Sequence, residues 1–292
     1  MADIDLPEAL ARELATVGAR EHWLSLSHGA TRYLEAGNGP TLVALHGFAG
    51  PSGADRYLHM MPYWTSRFRV IAVDMLNWGP GARPKHEYSS PLHIVDALRE
   101  LLDAIEVDRC FIVGHCYGGR VALKLTAQSP HRVRGLVVAA LGTRAPDLAT
   151  HLPLSPIRTE ADMRALIERR MGHTPEVDYD SFAKWSWRSL RRQPALMSHY
   201  VEFLRHFEEP SQVLQMDPRR AMWSNIDVPI LFAWGDDDAS APLEDAPSYL
   251  AAIPSAKLVT CEGNHFFPNR YVERFSIMVS SFFDEGMVRR TA

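Results

Sequence analysis

One stretch constrains the chain more than any other: Phe111-Ile112-Val113-Gly114-His115-Cys116-Tyr117-Gly118-Gly119, running on into Arg120-Val121-Ala122-Leu123. An apolar strand enters a Gly-x-Cys-x-Gly turn that opens at once into a helical pattern. So short a passage from strand to helix is open only to residues without a Cβ, which Gly114 and Gly118 supply. The apex residue, Cys116, is thrust out above whatever sheet the strand joins. It also stands at a helix N-terminus, where free N–H groups and the helix dipole favour a thiolate.

The rest of the chain reads in the same alternation. Residues 21–47 predict three short strands, broken by His28-Gly29 and by Gly37-Asn38-Gly39-Pro40, which is antiparallel hairpin chemistry. The third, Thr41-Leu42-Val43-Ala44-Leu45, is continuously apolar and so buried on both faces. Helices are expected near 54–66, 91–106, 118–129, 243–252 and 268–284. Strands are expected at Phe68–Val73, Cys110–Val113, Gly135–Ala140, Pro229–Trp234 and Lys257–Cys261. Alternating apolar strands and helices imply an α/β fold, a mostly parallel sheet covered on both faces, with ligands beyond the carboxyl ends of its strands. Residues 145–222 interrupt the pattern with helices alone. They read as a helical lid inserted between the core segments 1–144 and 223–292.

Composition narrows the function classes. At 292 residues the chain can bury a core without disulfides, and three cysteines cannot all pair, which fits a reducing, cytoplasmic setting. The acidic, helix-like start has neither the basic nor the apolar region of a secretory signal. Thirty-one basic against thirty-five acidic residues, with no long basic run, argue against nucleic acid as a partner. The longest apolar run, Leu136 to Leu141, is too short to span a membrane.

Three further loops follow strand ends. After residues 41–45 comes His46-Gly47-Phe48-Ala49-Gly50, whose glycines let the chain turn back beside the elbow; the backbone N–H groups of Phe48 and Tyr117 then form a candidate oxyanion hole. Trp234-Gly235-Asp236-Asp237-Asp238 offers carboxylates at a strand end, able to hold an imidazole in one tautomer. Cys261-Glu262-Gly263-Asn264-His265 places a histidine after the last strand. In the lid, Lys184, Arg188, Arg191 and Arg192 share one helix face. That face reads as solvated, or as a landing site for an anionic carrier such as coenzyme A or an acyl carrier protein. His199 and His206, seven residues apart, are read as packing or solvent-facing, because helical metal ligands favour spacings of three or four. Trp185, Trp187 and Trp223 are read as lid packing, with room for one of them to line an apolar pocket. No metal or cofactor is expected.

Nucleophile, acid and histidine in that chain order resemble the α/β-hydrolase superfamily, over residues of about 20–144 and 225–286. The resemblance implies Cys116 as nucleophile and His265 as base. It selects Asp238 as the acid, by its place three residues after Gly235, with Asp237 as substitute. His46, Gly47, Trp78, His115 and Trp185 are then expected to line the pocket. The chain departs from the family twice. Cysteine replaces the usual serine, as in dienelactone hydrolases, polyester synthases and certain biosynthetic thioesterases. The turn after Asp74 also keeps only one of the family's usual glycines, Gly79. The implied function is hydrolysis of a small ester, thioester or lactone through an acyl-thioenzyme. Acyl transfer or cyclisation is the alternative, a non-catalytic receptor a further one, and carbon–carbon hydrolysis, normally a serine reaction, stands behind these.

Overall fold

The structure is a computed structural model that describes residues 5–47, 53–81, 91–142, 153, 155–171, 177–198, 201, 223–224 and 226–288. Eight strands, β1 (Arg20–Leu26), β2 (Gly29–Ala36), β3 (Thr41–Leu45), β4 (Arg69–Val73), β5 (Cys110–His115), β6 (Val133–Ala139), β7 (Ile230–Gly235) and β8 (Ala256–Cys261), form one sheet in the order β1-β2-β4-β3-β5-β6-β7-β8. The pairs from β4 through β8 are parallel, and β2 runs antiparallel to β1 and to β4.

The β1–β2 hairpin forms with Leu26 opposite Gly29. The second expected hairpin does not form: β4 lies between β2 and β3. Apolar β3 gains more from two parallel neighbours, β4 and β5, than from the exposed sheet margin where β2 would have held it. Gly37 and Gly39, at φ 77° and 112°, carry the chain across.

Along the central strands the side chains alternate between two cores. Val43, Leu45 and Ile112 face α3 (Pro91–Ala104) and α4 (Tyr117–Gln128). Leu42, Ala44, Phe111 and Val113 face α1 (Asp5–Thr16), α2 (Met61–Trp64) and the last helix, α9 (Val272–Val288). Two expected helices are each divided. The stretch near 54–66 is a 3₁₀ turn, Ala54–Tyr57, followed by α2, because Pro62 has no N–H to give and fits only a first helical turn. The C-terminal stretch is α8 (Phe267–Arg270) and α9, separated at Tyr271. Between β6 and β7 the described residues contain α5 (Glu160–Met171) and α6 (Tyr179–Arg192) and no strand; α7 (Ala246–Ala252) follows β7. Among the described residues no helix is long and apolar enough to cross a membrane.

The chain leaves β3 toward one side of the sheet and resumes at β5 on the other. The carboxyl ends of β3 and β5 therefore flank the point where strand order reverses, which is where such sheets bind ligands.

Candidate active site

Cys116 stands at that point, as the N-cap of α4, with φ 54° and ψ −115°. A non-glycine residue at positive φ costs on the order of 1–3 kcal/mol and persists only where its surroundings over-determine it. Here the Cys116 N–H donates to the Ala139 carbonyl at 2.9 Å, and its own carbonyl accepts from Arg120 N–H at 3.3 Å. The flanking glycines allow no alternative: a Cβ on Gly114 would lie 2.6 Å from the Gly118 carbonyl oxygen, and one on Gly118 would strike the Leu45 carbonyl of β3.

His265 follows β8 and is 8% exposed. Its Nδ1 lies 2.8 Å from Asp238 Oδ2, and its side chain also hydrogen-bonds Cys116. Asp238 is held by its other oxygen, Oδ1, which accepts from Ser240 N–H at 2.9 Å and Ala241 N–H at 2.8 Å. Burial works against an imidazolium at His265. The charges of Cys116 and Asp238 and the hydrogen bonds to both overcome it and raise the pKa to about 10. The arrangement is therefore suited to a thiolate–imidazolium pair at neutral pH. Asp237 and Asp236 are exposed; Asp236 instead accepts the Gly263 N–H at 2.8 Å and ties the β7 loop to the β8 loop.

The other expected residues divide. Tyr117 begins α4 beside Cys116, which leaves its amide N–H at the open end of the helix. Phe48, its expected partner, lies outside the described residues, as do His199 and His206. Gly47 abuts the nucleophile, since a Cβ there would lie 2.7 Å from that of Cys116. His46 is a brace. Its Nε2 accepts the Met75 N–H at 3.1 Å, so Nδ1 carries the proton toward the Gly47 carbonyl at 3.0 Å, and burial drops its pKa to about 3. His115 donates through Nε2 to the His265 carbonyl at 2.9 Å, its ring centroid 5.2 Å from that of His265. Burial holds it neutral. Trp78 is 1% exposed, packed between His46 and Tyr117.

Trp185 and Arg188 depart from expectation. Trp185 does not line the site: fully buried, it packs against His59 and Phe182, and its Nε1–H donates to Glu13 of α1 at 2.5 Å. The Lys184–Arg192 face is solvated at Lys184 and Arg192, while Arg188 is withdrawn from it. Arg188, 4% exposed, pairs with Glu13 and Asp55, each at 2.8 Å, while Lys184 pairs with Glu13 and Arg192 with Glu21. Glu13, Glu21 and Asp55 pair with three of these charges, and no helical spacing reveals such distant partners. Trp223, read as lid packing, is buried within the core cluster of α3 and α4, while Trp187 is partly buried on the other core.

Other contributors were marked in the sequence only by the turn after Asp74, or not at all. Asp74, at the end of β4, accepts the Ala54 N–H at 2.7 Å and pairs with Arg32, which also reaches Asp55 at 2.6 Å. Burial and the neighbouring Asp55 charge push Asp74 up. At Asp55 burial is overcome by Arg32 and Arg188, which bring it down to about 2. The network clamps the segment after the β3 loop to β4. Gly142 closes another side of the site, where a Cβ would come within 3.3 Å of Cys116 Sγ, and its carbonyl accepts from the buried Arg120 Nε. Among the described residues no three His, Cys, Asp or Glu side chains gather as a metal ion would require.

A thiol, an imidazole and a carboxylate thus stand in hydrogen-bonded series at the switch point of an α/β sheet, and comparison with known proteins identifies the class of that sheet. Residues 40–268 match the α/β hydrolase fold family, and the chain belongs to it. The chain is similar to 2-hydroxymuconate semialdehyde hydrolase of Pseudomonas putida, 28% identical over 285 residues and 95% of each chain. It is 27% identical over 260 residues to the 2-hydroxy-6-oxononadienedioate/2-hydroxy-6-oxononatrienedioate hydrolase of Paraburkholderia xenovorans, covering 86% of this chain and 89% of that one. The solved meta-cleavage product hydrolase of Pseudomonas fluorescens shares the fold, with a TM-score of 0.74 and 23% identity over 90% of this chain and 97% of that one. The protein is an enzyme, a hydrolase of the α/β fold.

Proposed function

We propose that the enzyme hydrolyses a small carboxylic ester, thioester or lactone through an acyl-thioenzyme on Cys116, with His265 as base and Asp238 as orienting acid. The observation that carries this reading is the continuous chain from Cys116 through His265 to Asp238, with the acid pinned by two backbone N–H groups. The thiolate attacks the carbonyl carbon, and the oxyanion is received by the Tyr117 amide and that of Phe48. Collapse expels the alcohol or thiol, which takes its proton from the His265 imidazolium. Water, deprotonated by His265, then attacks the thioester carbonyl and releases the acid, and the proton returns to the Cys116–His265 pair.

Sulfur leaves more readily than an alkoxide, so the first intermediate goes forward only when the substrate's own leaving group is good. Thioesters, enol lactones and activated esters meet that condition, and amides of ordinary amines do not. The segment 145–222 serves as a lid over the core of 1–144 and 223–292. In support, Asn264, next to His265, donates from Nδ2 to the Met171 carbonyl at the end of α5, 3.2 Å away. The substrate is a small molecule, and the burial of Arg188 against Glu13 and Asp55 takes the central charge of the lid face away from any carrier.

A second reading takes its substrate from the relatives: an oxo acid such as those their names specify, cleaved by the same acylation of Cys116. Intact-protein mass spectrometry after mixing with a phenyl thioester tests the mechanism. An acyl adduct on the native protein, absent from Cys116→Ala, is expected. No adduct together with unchanged substrate refutes it. Adduct without free acid, discharged only by added alcohol or amine, makes the enzyme a transferase. Turnover of 2-hydroxymuconate semialdehyde with no turnover of thioesters selects the second reading.

A further inference from the structure

Helix α1 stands ahead of the first strand and outside residues 40–268, the part of the chain that matches the family. What it touches is the insertion. Leu10 and Leu14, on its buried side, join the core cluster that holds Phe182 and Trp185 of α6. Between them Glu13 takes three donors from one stretch of that helix. Its Oε1 accepts the Trp185 Nε1–H at 2.5 Å and lies 3.4 Å from Lys184 Nζ, while Oε2 accepts from Arg188 Nη1 at 2.8 Å. Burial works against the carboxylate. The hydrogen bonds from Trp185 and Arg188, with the charges of Arg188 and Lys184, outweigh it and hold the pKa below its ordinary value.

The two described helices of the insertion are joined by the Arg164–Asp180 pair. They are held at two places. At the end of α5 the Met171 carbonyl meets Asn264, beside His265. Along α6 the acids answer: Glu13, then Asp55 at 2.8 Å from Arg188, then Glu21 at 2.7 Å from Arg192. These contacts are not equivalent. Asp55 has Arg32 as a second partner, and Arg192 is exposed. Trp185 is fully buried and has no second acceptor among the described residues, so its indole N–H is satisfied only while α6 stays against Glu13. The anchor itself is fixed to the sheet. Only Val17, Gly18 and Ala19 separate α1 from β1, and the Ala19 N–H closes back onto the Leu14 carbonyl at 2.8 Å.

We propose that Glu13 is a positioning residue of the hydrolase: from α1 it holds α6 down over the nucleophile, and its bonds to Trp185 and Arg188 are those that break when the insertion opens to admit a large substrate. This rests on the reading of 145–222 as a lid. The three donors come from a single turn of helix and one side chain receives them, so they release together. A lid held by one carboxylate opens as a unit, which is how elements that gate a site are drawn from the less stable parts of a fold.

The probes are iodoacetamide and its bulky fluorescein derivative, which share one chemistry. Alkylation of Cys116 is followed by peptide mapping, with glutathione as an uncovered reference thiol. Relative to iodoacetamide, the native protein should take the bulky reagent more slowly than glutathione does. In Glu13→Ala the bulky reagent should react about tenfold faster, as expected when a charge-assisted hydrogen bond holding a lid is lost, while iodoacetamide stays within about twofold. Amide hydrogen exchange should quicken in α6 and stay native in β3 and β5, which separates a released lid from a weakened fold. Trp185→Phe keeps an aromatic ring but has no N–H to give. It should move both readings the same way, and it serves if Glu13→Ala does not fold. A native protein that discriminates no more than glutathione sinks the lid reading and the proposal with it. Discrimination that Glu13→Ala leaves intact, or exchange that quickens equally in α6 and the sheet, overturns the proposal and leaves the lid standing.

Discussion

Replacing Asp238 by asparagine tests the site most sharply, because the structure dictates how the new amide must sit. Oδ1 of Asp238 accepts two backbone N–H groups, from Ser240 and Ala241. Only the carbonyl oxygen of an asparagine can keep those bonds, so the NH₂ group falls where Oδ2 was, 2.8 Å from His265 Nδ1. Nδ1 must then accept a hydrogen bond, and the ring proton moves to Nε2. In that tautomer the imidazole cannot take the proton of Cys116. Turning the amide round instead leaves two buried donors facing an NH₂ group, at about 1–3 kcal/mol each. The variant also removes one of the two charges that hold His265 protonated. The comparable change in a serine triad costs roughly 10⁴ in rate, so kcat/KM should fall by about 10³–10⁴, or ~4–5.5 kcal/mol in the barrier. Asp237→Asn is the control: its side chain is exposed, and its link to Gly263 is through the backbone N–H, which survives. The assay is thiol release from a phenyl thioester across a pH series. A loss below tenfold in Asp238→Asn, or an equal loss in Asp237→Asn, would refute the argument.

Cys116→Ser should lower thioester turnover by at least about tenfold, ~1.4 kcal/mol, because His265 must then deprotonate a far weaker acid; a gain on going to serine would show that the site is not built around a thiolate. Limiting iodoacetamide should label Cys116 first and stop activity at one label per chain, since burial pushes Cys110 up to about 12 and Cys261 up to about 11; peptide mapping reads the order. Because folding raises His265 from 6.5 to about 10, its contribution to stability is full below pH 6.5 and is lost as the pH rises through 10. The thermal-midpoint advantage of the native protein over His265→Gln should therefore shrink across that window, and an advantage that grows there contradicts the pairing. Arg188→Met removes the buried cation shared by Glu13 and Asp55, leaving Asp55 only Arg32 and Glu13 only Trp185 and the exposed Lys184, and should cost about 3–5 kcal/mol in urea unfolding, against under ~1 kcal/mol for the more exposed Arg192→Gln.

What the sequence determined by itself is whatever short-range rules decide. Gly114 and Gly118 around Cys116 specify a strand-to-helix turn because no residue with a Cβ passes there, and the apolar run of β3 demands a central strand. The order of elements then carried Cys116, Asp238 and His265 to one edge of the sheet, since parallel strands all end on the same side. Tertiary structure decided everything that depends on partners far along the chain. Asp236, Asp237 and Asp238 look alike as a run, and only the Ser240 and Ala241 amides and the nearness of β8 turn the third toward His265. The break at Gly37–Pro40 looks like a hairpin, but β4, some thirty residues later, competes for the same edge of β3 and wins. Arg188 and Arg170 are indistinguishable from surface arginines by spacing. Arg188 is claimed by Glu13, 175 positions away, and Arg170 is buried where the insertion returns onto the His265 loop. A buried charge is placed by the whole set of charges packed around it, and a linear sequence does not contain that set.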